Sequence, residues 1–249
     1  MSALDPNVVS IIGGCPLFFD LSDEERDQVA REAELSRFHA EAAIFQEYQD
    51  PRVLWILGSG QVKLQHASID GRVQIIEFPA PGAPLALWAV MDGQPLTATA
   101  TTMGAVTAAQ VPRQVFLRIA QRSPGVRVAV VESLCSSIRV RDIGGGVSAL
   151  RDVRGRIACR LLQLARQYAS ADEDGILVRY PMTRQELASA TGVAVETAIR
   201  TLSDWKRAGV IETVRRMVDI RDVLELQAVA GCGECLFDCS VFGPPLARE

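Results

Sequence analysis

The chain has 249 residues, 48% of them hydrophobic, with 26 Lys and Arg against 30 Asp and Glu for a net charge of −4. That is enough apolar material for one large or two ordinary cores, and it excludes a disordered tail, a disulfide-stapled mini-protein and a collagen. No apolar run approaches the roughly 20 residues of a membrane-spanning helix, so no membrane partner is expected and the cytoplasm is the expected location.

At the N-terminus, Ile12-Gly13-Gly14-Cys15 imitates a lipoprotein cleavage site, but it has no cationic start, carries Asp5 and follows only a handful of apolar residues. Lipidation is therefore not expected. Ser22-Asp23-Glu24-Glu25 offers an N-cap, a capping box and an acidic first turn, which predicts a helix ahead of Val29, Ala33 and Leu35. From Arg37 to about Val115 the chain breaks into short apolar or alternating runs: Ala42–Phe45, Val53–Leu57, Val62–Gln65, Val73–Phe78, Thr97–Thr101 and Ala105–Val111. These read as strands. Gly60, Gly71, Gly82, Gly93 and Gly104 recur every eleven residues, and the pairs Asp70-Gly71 and Asp92-Gly93 are turn signals between strands. The rhythm predicts a compact antiparallel barrel or jelly roll over residues 1–121.

After Pro124, Val128, Val131, Leu134, Cys135 and Ile138 recur at helical spacing and form one apolar stripe. The stripe needs a partner, either the barrel or the same helix of a second copy; the heptad-like spacing favours dimerisation. Gly144-Gly145-Gly146 then ends the helix or makes a hinge, so residues 122–148 form a dimerisation helix and hinge. From Ala149 the helical period resumes, and residues 151–221 hold 13 Arg and Lys against 9 Asp and Glu, leaving −8 on the rest of the chain. A basic segment on an acidic protein suits an anionic partner, although an Arg-rich helix surface would look the same.

The most informative stretch starts at Thr183, which with Glu186 makes a capping box for a short helix carrying Leu187 and Ala188. Gly192 ends that helix in a tight turn, and a second helix is predicted from about Val195 to Ala208, with Leu202 and Trp205 inward and Gly209 stopping it. This is a helix-turn-helix. Ile211-Glu212-Thr213 and Met217-Val218-Asp219-Ile220, separated by Arg215-Arg216, suit the two strands of a wing. Glu196 and Arg200 lie four apart near the start of the second helix, the part that enters a major groove. A guanidinium can donate twice to guanine O6 and N7, and a carboxylate accepts from the cytosine amino group. The competing reading is an intrahelical ion pair on a solvated face, contributing about 0.3 to 0.5 kcal/mol.

With Asp152-Val153-Arg154-Gly155-Arg156-Ile157-Ala158, Thr183-Arg184-Gln185-Glu186-Leu187-Ala188 and Glu196-Thr197-Ala198-Ile199-Arg200-Thr201-Leu202 behind a β-roll and a long helix, the chain resembles the cyclic-AMP receptor / fumarate-nitrate-reduction regulator (CRP/FNR) family over residues 15 to 229. The resemblance implies an α+β fold: an N-terminal double-stranded β-helix (jelly roll) domain, a long dimerisation helix and a C-terminal winged helix-turn-helix over residues 149–229. It also implies a homodimeric transcription regulator that binds double-stranded DNA with a palindromic operator of TTGA- or GTGA-like half-sites and meets RNA polymerase. Glu196, Arg200, Thr197, Arg184, Val195 and Ile199 would make the DNA contacts. Two positions depart from the family pattern. Ile199 replaces a small residue or Ser and is placed to touch a thymine methyl group. Ala194 replaces the usual Ser or Thr N-cap, which costs about 1 kcal/mol of helix stability.

In cyclic-nucleotide members a glycine-glutamate pair holds the ribose and an Arg meets the phosphate. The matching segments here, residues 81–87 and 94–98, contain neither carboxylate nor guanidinium, so cyclic AMP is not the expected effector. His39 and His66 are the only histidines; haem is not expected, and neither is a cupin-type enzyme. The cysteine-rich tail, residues 230–249, carries Cys232, Cys235 and Cys239, a C-x2-C-x3-C array that suits a [4Fe-4S] iron-sulfur cluster, as in a subset of FNR-type regulators with C-terminal cluster cysteines. Asp142, Cys135, Asp152 and Asp238 are candidates for the fourth ligand, and Cys159 is expected in the core. Zinc, trivalent arsenic or thiol-disulfide chemistry would also suit these thiols. The expectation is a regulator, not an enzyme, that senses oxygen, nitric oxide or redox state through its tail. The reading from another class is a β-roll small-molecule-binding module or enzyme.

Overall fold

A computed structural model describes residues 4–142, 151–172, 175–178, 182–214 and 217–231. Two compact units are present, residues 1–139 and 140–249.

The first unit opens with helix α1 (Pro6–Gly13), capped by Asp5, whose carboxylate accepts from the Asn7 N–H, with Pro6 at the first helical position. No helix was predicted there. Ile12, Cys15 and Phe18 are fully buried, and burial pushes the Cys15 thiol up to about 12. The lipoprotein-like tetrapeptide is thus a helix end leading into the core. Helix α2 (Asp23–Glu32) starts at Ser22 with both halves of the expected capping box.

Eight strands follow: β1 (Glu34–Phe38), β2 (Ala43–Phe45), β3 (Val53–Ser59), β4 (Val62–Ala67), β5 (Val73–Glu77), β6 (Pro84–Leu85), β7 (Thr99–Thr102) and β8 (Val106–Pro112). They form two antiparallel four-stranded sheets, ordered β1-β8-β3-β6 and β2-β7-β4-β5, which is the expected jelly-roll architecture. Inside the roll Phe45, Leu57, Leu64, Leu85, Ala100 and Val106 pack together. A second cluster joins the other face of β3 and β8 to the helices through Ile12, Phe18, Leu54, Ile56, Val111 and Phe116. Period-2 alternation on β3 and β8 separates these two cores. Asp70-Gly71 makes the β4–β5 hairpin, with the Ser68 N–H donating to the Arg72 carbonyl. Asp92-Gly93 does not join strands: it ends helix α3 (Leu87–Asp92), with Gly93 as a left-handed C-cap.

Helix α4 (Arg113–Arg122) leads into helix α5 (Pro124–Asp142). The apolar residues of α5 divide between two faces. Val126 and Val130 are buried in the unit's core, and Leu134 packs partly against it. Val128, Val131 and Ile138 are more than half exposed, with Cys135 between them on the same stripe.

The second unit begins with helix α6 (Val153–Tyr168), then β9 (Ala169–Asp172), β10 (Gly175–Val178), α7 (Arg184–Thr191), α8 (Val195–Arg207), β11 (Ile211–Val214), β12 (Met217–Ile220) and α9 (Val223–Val229). The sheet order is β11-β12-β10-β9, all antiparallel. The wing pair is found where it was predicted; β9, β10 and α9 were not predicted. Cβ at position 155 would lie 3.1 Å from both the Asp152 Oδ1 and the Val229 carbonyl, so Gly155 lets α6 start close against α9. The triple glycine 144–146 and the linking pair Arg215-Arg216 lie outside the described residues. No helix among the described residues is long and apolar enough to cross a membrane.

Candidate nucleic-acid interface

Helix α7 is started by a complete capping box. The Thr183 hydroxyl accepts from the Glu186 N–H at 3.1 Å, and the Glu186 carboxylate accepts from the Thr183 N–H at 2.8 Å. The turn after it requires a left-handed residue, supplied by Gly192 at φ 64°, whose N–H donates to the Ala188 carbonyl. Thr191 caps from within, its hydroxyl donating to the Leu187 carbonyl at 2.7 Å. From α6 the buried Arg160 donates to the Ala190 carbonyl at 3.0 Å, tying the end of α7 to the helix beneath.

Helix α8 begins at Ala194, which makes no side-chain cap, as the sequence predicted. The inward face is Ala198, Thr201, Leu202 and Trp205, all buried. Trp205 is 1% exposed, and the Arg154 guanidinium sits 5.7 Å from its ring centroid. In the last turn, Lys206 pairs with Glu212 of β11 at 2.5 Å and holds that carboxyl below its usual range. This pair fastens the wing to the end of α8.

The outward face of α8 carries Glu196, Ile199 and Arg200, all exposed, with Val195 and Thr197 half-buried beside them. Helical geometry puts Glu196 and Arg200 within reach of each other. Yet among the described residues neither makes an ion pair or hydrogen bond, whereas Arg207 pairs with Asp204 on the same helix at 2.5 Å. The intrahelical ion pair weighed from the sequence is therefore absent. Arg184, the first residue of α7, is partly buried and has no carboxylate partner among the described residues; desolvation lowers its pKa.

The cysteines separate into two sets. Cys232, Cys235, Cys239 and Asp238 lie outside the described residues. Of the other ligand candidates, Cys135 lies on the exposed stripe of α5, and Asp152 is engaged as a cap, its Oδ1 accepting from the Gly155 N–H at 2.7 Å. Asp142 ends α5. Cys159 is half-buried rather than in the core: it faces Gln163 one turn on, at the edge of α6. Among the described residues no three His, Cys, Asp or Glu come together as a metal site.

One concave feature was not anticipated. A cavity of about 520 Å³ opens at one end of the roll between the β2–β3 loop, β6 and α3. Only the alternation along β3, which turns Val53 and Trp55 away from the helical core, could have hinted at it.

A β-roll module joined in one chain to a winged helix-turn-helix defines a DNA-binding transcription regulator, and comparison with known proteins agrees. Residues 35–123 match the cyclic nucleotide-binding domain family, and residues 155–229 match the Crp-like helix-turn-helix domain. A CRP-like cAMP-activated global transcriptional regulator of Mycobacterium tuberculosis is 27% identical over 72% of this chain and 80% of its own. A CRP-family transcriptional regulator of Thermus thermophilus superposes with TM-score 0.65 and 27% identity over 79% of this chain and 96% of that one. FixK2 of Bradyrhizobium japonicum shares the fold with TM-score 0.72 at 20% identity, over 79% and 96%. The chain belongs to the CRP/FNR family of transcription regulators.

Proposed function

We propose that this regulator acts as a homodimer that reads an inverted-repeat operator through Glu196 and Arg200, under the control of an iron-sulfur cluster held by Cys232, Cys235 and Cys239. The observation that carries the DNA half is the pair of exposed opposite charges on the outward face of α8, without a partner among the described residues, four residues apart and backed by a fully packed inward face. A solvated helix face would let them pair; a groove-reading face keeps both free for base edges. Thr197, Val195 and Ile199 flank them on the same helix, and Arg184 is placed for a backbone phosphate. The dimer rests on α5: Val128, Val131, Cys135 and Ile138 follow the three-four-three spacing of a coiled-coil seam, and its valines and isoleucine are exposed in the single chain. Contact with RNA polymerase and a cytoplasmic setting belong to the same reading.

For the tail, the donor chemistry is the support. Three thiols within eight residues, in a segment rich in glycine, fit three corners of a [4Fe-4S] cluster, which when bound supplies reactivity toward oxygen and nitric oxide. Asp142, Cys135, Asp152 and Asp238 stay open as fourth ligand, with only Oδ2 of Asp152 uncommitted to its helix cap. Anaerobic purification tests it. A brown protein carrying iron and sulfide, colourless in Cys232→Ala or Cys235→Ala, supports the cluster; a colourless wild-type protein with stoichiometric zinc overturns it. Selection from random duplexes tests the DNA half separately, since enrichment of no inverted repeat by either the loaded or the empty protein would refute it.

A further inference from the structure

Helix α7 ends inside its unit, where Ala190 and Thr191 are both buried. A buried carbonyl at a helix end needs a donor from the protein. The Leu187 carbonyl takes the Thr191 hydroxyl at 2.7 Å, and the Ala188 carbonyl takes the N–H groups of Gly192 and Val193. These bonds close the helix on itself. The Ala190 carbonyl differs, because its donor is the Arg160 guanidinium of α6, 30 positions back along the chain.

A cation near a helix C-terminus is electrostatically favourable. Arg160, however, is only 8% exposed, and a methionine would fill that space without desolvating a charge. What the guanidinium adds is direction: a rigid donor aimed at one carbonyl, two residues before the left-handed Gly192 on which the chain turns. The same helix also holds α8, since Arg154, near the start of α6, sits against the ring of Trp205. Helix α6 thus grips both arms of the helix-turn-helix.

Such a grip matters more for reading bases than for binding phosphates. Base-edge hydrogen bonds demand placement within about 0.5 Å and 10–20°, whereas charge-driven binding depends on how many phosphates are neutralised. Resting on the proposed reading of the α8 face, we infer that Arg160 is a positioning residue for base recognition. Its bond to the Ala190 carbonyl fixes the turn between α7 and α8, and with it the angle at which Glu196 and Arg200 meet the groove.

The test is a ratio of two affinities of the full-length protein, one for the inverted repeat enriched from random duplexes and one for a scrambled duplex of the same length. In Arg160→Met the ratio should fall roughly tenfold, the size of one lost base contact. Affinity for the scrambled duplex and its salt slope should stay as in wild type. Partial unfolding lowers both affinities alike and leaves the ratio unmoved, so a loss of stability cannot imitate the effect. Arg160→Lys, which can still donate to the same carbonyl, should restore most of the ratio. Thr191→Val removes a buried hydrogen bond that α7 makes within itself and should keep the wild-type ratio. A wild-type ratio in Arg160→Met, no recovery in Arg160→Lys, or an equal fall in Thr191→Val would overturn the inference and leave the reading of the α8 face intact. A wild-type protein that prefers no inverted repeat would remove both.

Discussion

Helices α5 and α8 each turn toward solvent a face that their own unit leaves unused, and the two faces are chemically opposite. On α5 the outward stripe is hydrocarbon, with Val131 and Ile138 each 59% exposed. On α8 it is charge, with Glu196 and Arg200 exposed and without a partner among the described residues, while the inward side is filled by Trp205 and Leu202. An exposed apolar seam lowers its free energy by meeting another copy of itself, roughly 1.5–3 kcal/mol for each side chain fully buried. An exposed, unpaired cation and anion gain nothing from such a contact, because desolvating them costs more than it returns. They gain from a surface that offers complementary donors and acceptors, as a DNA groove does. On the proposed reading α5 serves self-association and α8 recognition.

The sharpest way to break this contrast is to put charge into the apolar seam. Ile138→Asp should convert the dimer to monomer in analytical ultracentrifugation and weaken operator binding by roughly 100-fold or more, through loss of the second half-site and the cost of burying a carboxylate. A dimer of unchanged stability would remove α5 from the interface. Next comes Arg200→Ala, expected to cost about 1–3 kcal/mol at one guanine per half-site and to relax preference there alone, as read by binding to operators substituted base by base. Uniform weakening across all sequences would make Arg200 a phosphate contact instead.

Arg184→Ala sharpens the distinction within the DNA unit. Affinity should fall about equally for every sequence, and the slope of log K against log salt should lose about one unit, because one phosphate contact disappears. The smallest effect is a gain. Ala194→Ser supplies the side-chain acceptor that α8 lacks and should raise stability by about 1 kcal/mol in urea unfolding, with base preference unchanged. A destabilised Ala194→Ser would mean that the helix start is not free to accept a cap.

The recognition unit was legible where its signals are local. Thr183 with Glu186, Gly192 in the left-handed region and the Leu202/Trp205 spacing are short-range devices, so α7, α8 and the wing appear where the chain predicts them. The segments that were missed owe their structure to partners far along the chain. Ala169–Asp172 has no apolar alternation of its own and becomes a strand by pairing with its neighbour β10, which is itself held in the sheet by the distant β12. Pro84–Leu85 is two residues long and is a strand only because Trp55 and Ile56 lie opposite. Helix α1 has a good cap and Pro at its start, but it is short and is held by burying Val8, Ile11 and Ile12 in the unit's core. The six candidate DNA contacts are brought into one region by two helices and a turn, whereas the tail cysteines remain an argument from donor chemistry and spacing.

By itself the amino-acid order determined the jelly roll and the helix-turn-helix and pointed to Glu196 and Arg200 as the candidate pair on the second helix, because alternation, capping and glycine punctuation act over a few residues. Only the tertiary structure decided which apolar residues of α5 are spent on the core and which face outward, that Glu196 and Arg200 stay apart, and that one end of the roll keeps a cavity lined by both apolar and polar residues. Those outcomes depend on which surfaces meet across long sequence separations, and a one-dimensional pattern carries no record of what lies opposite.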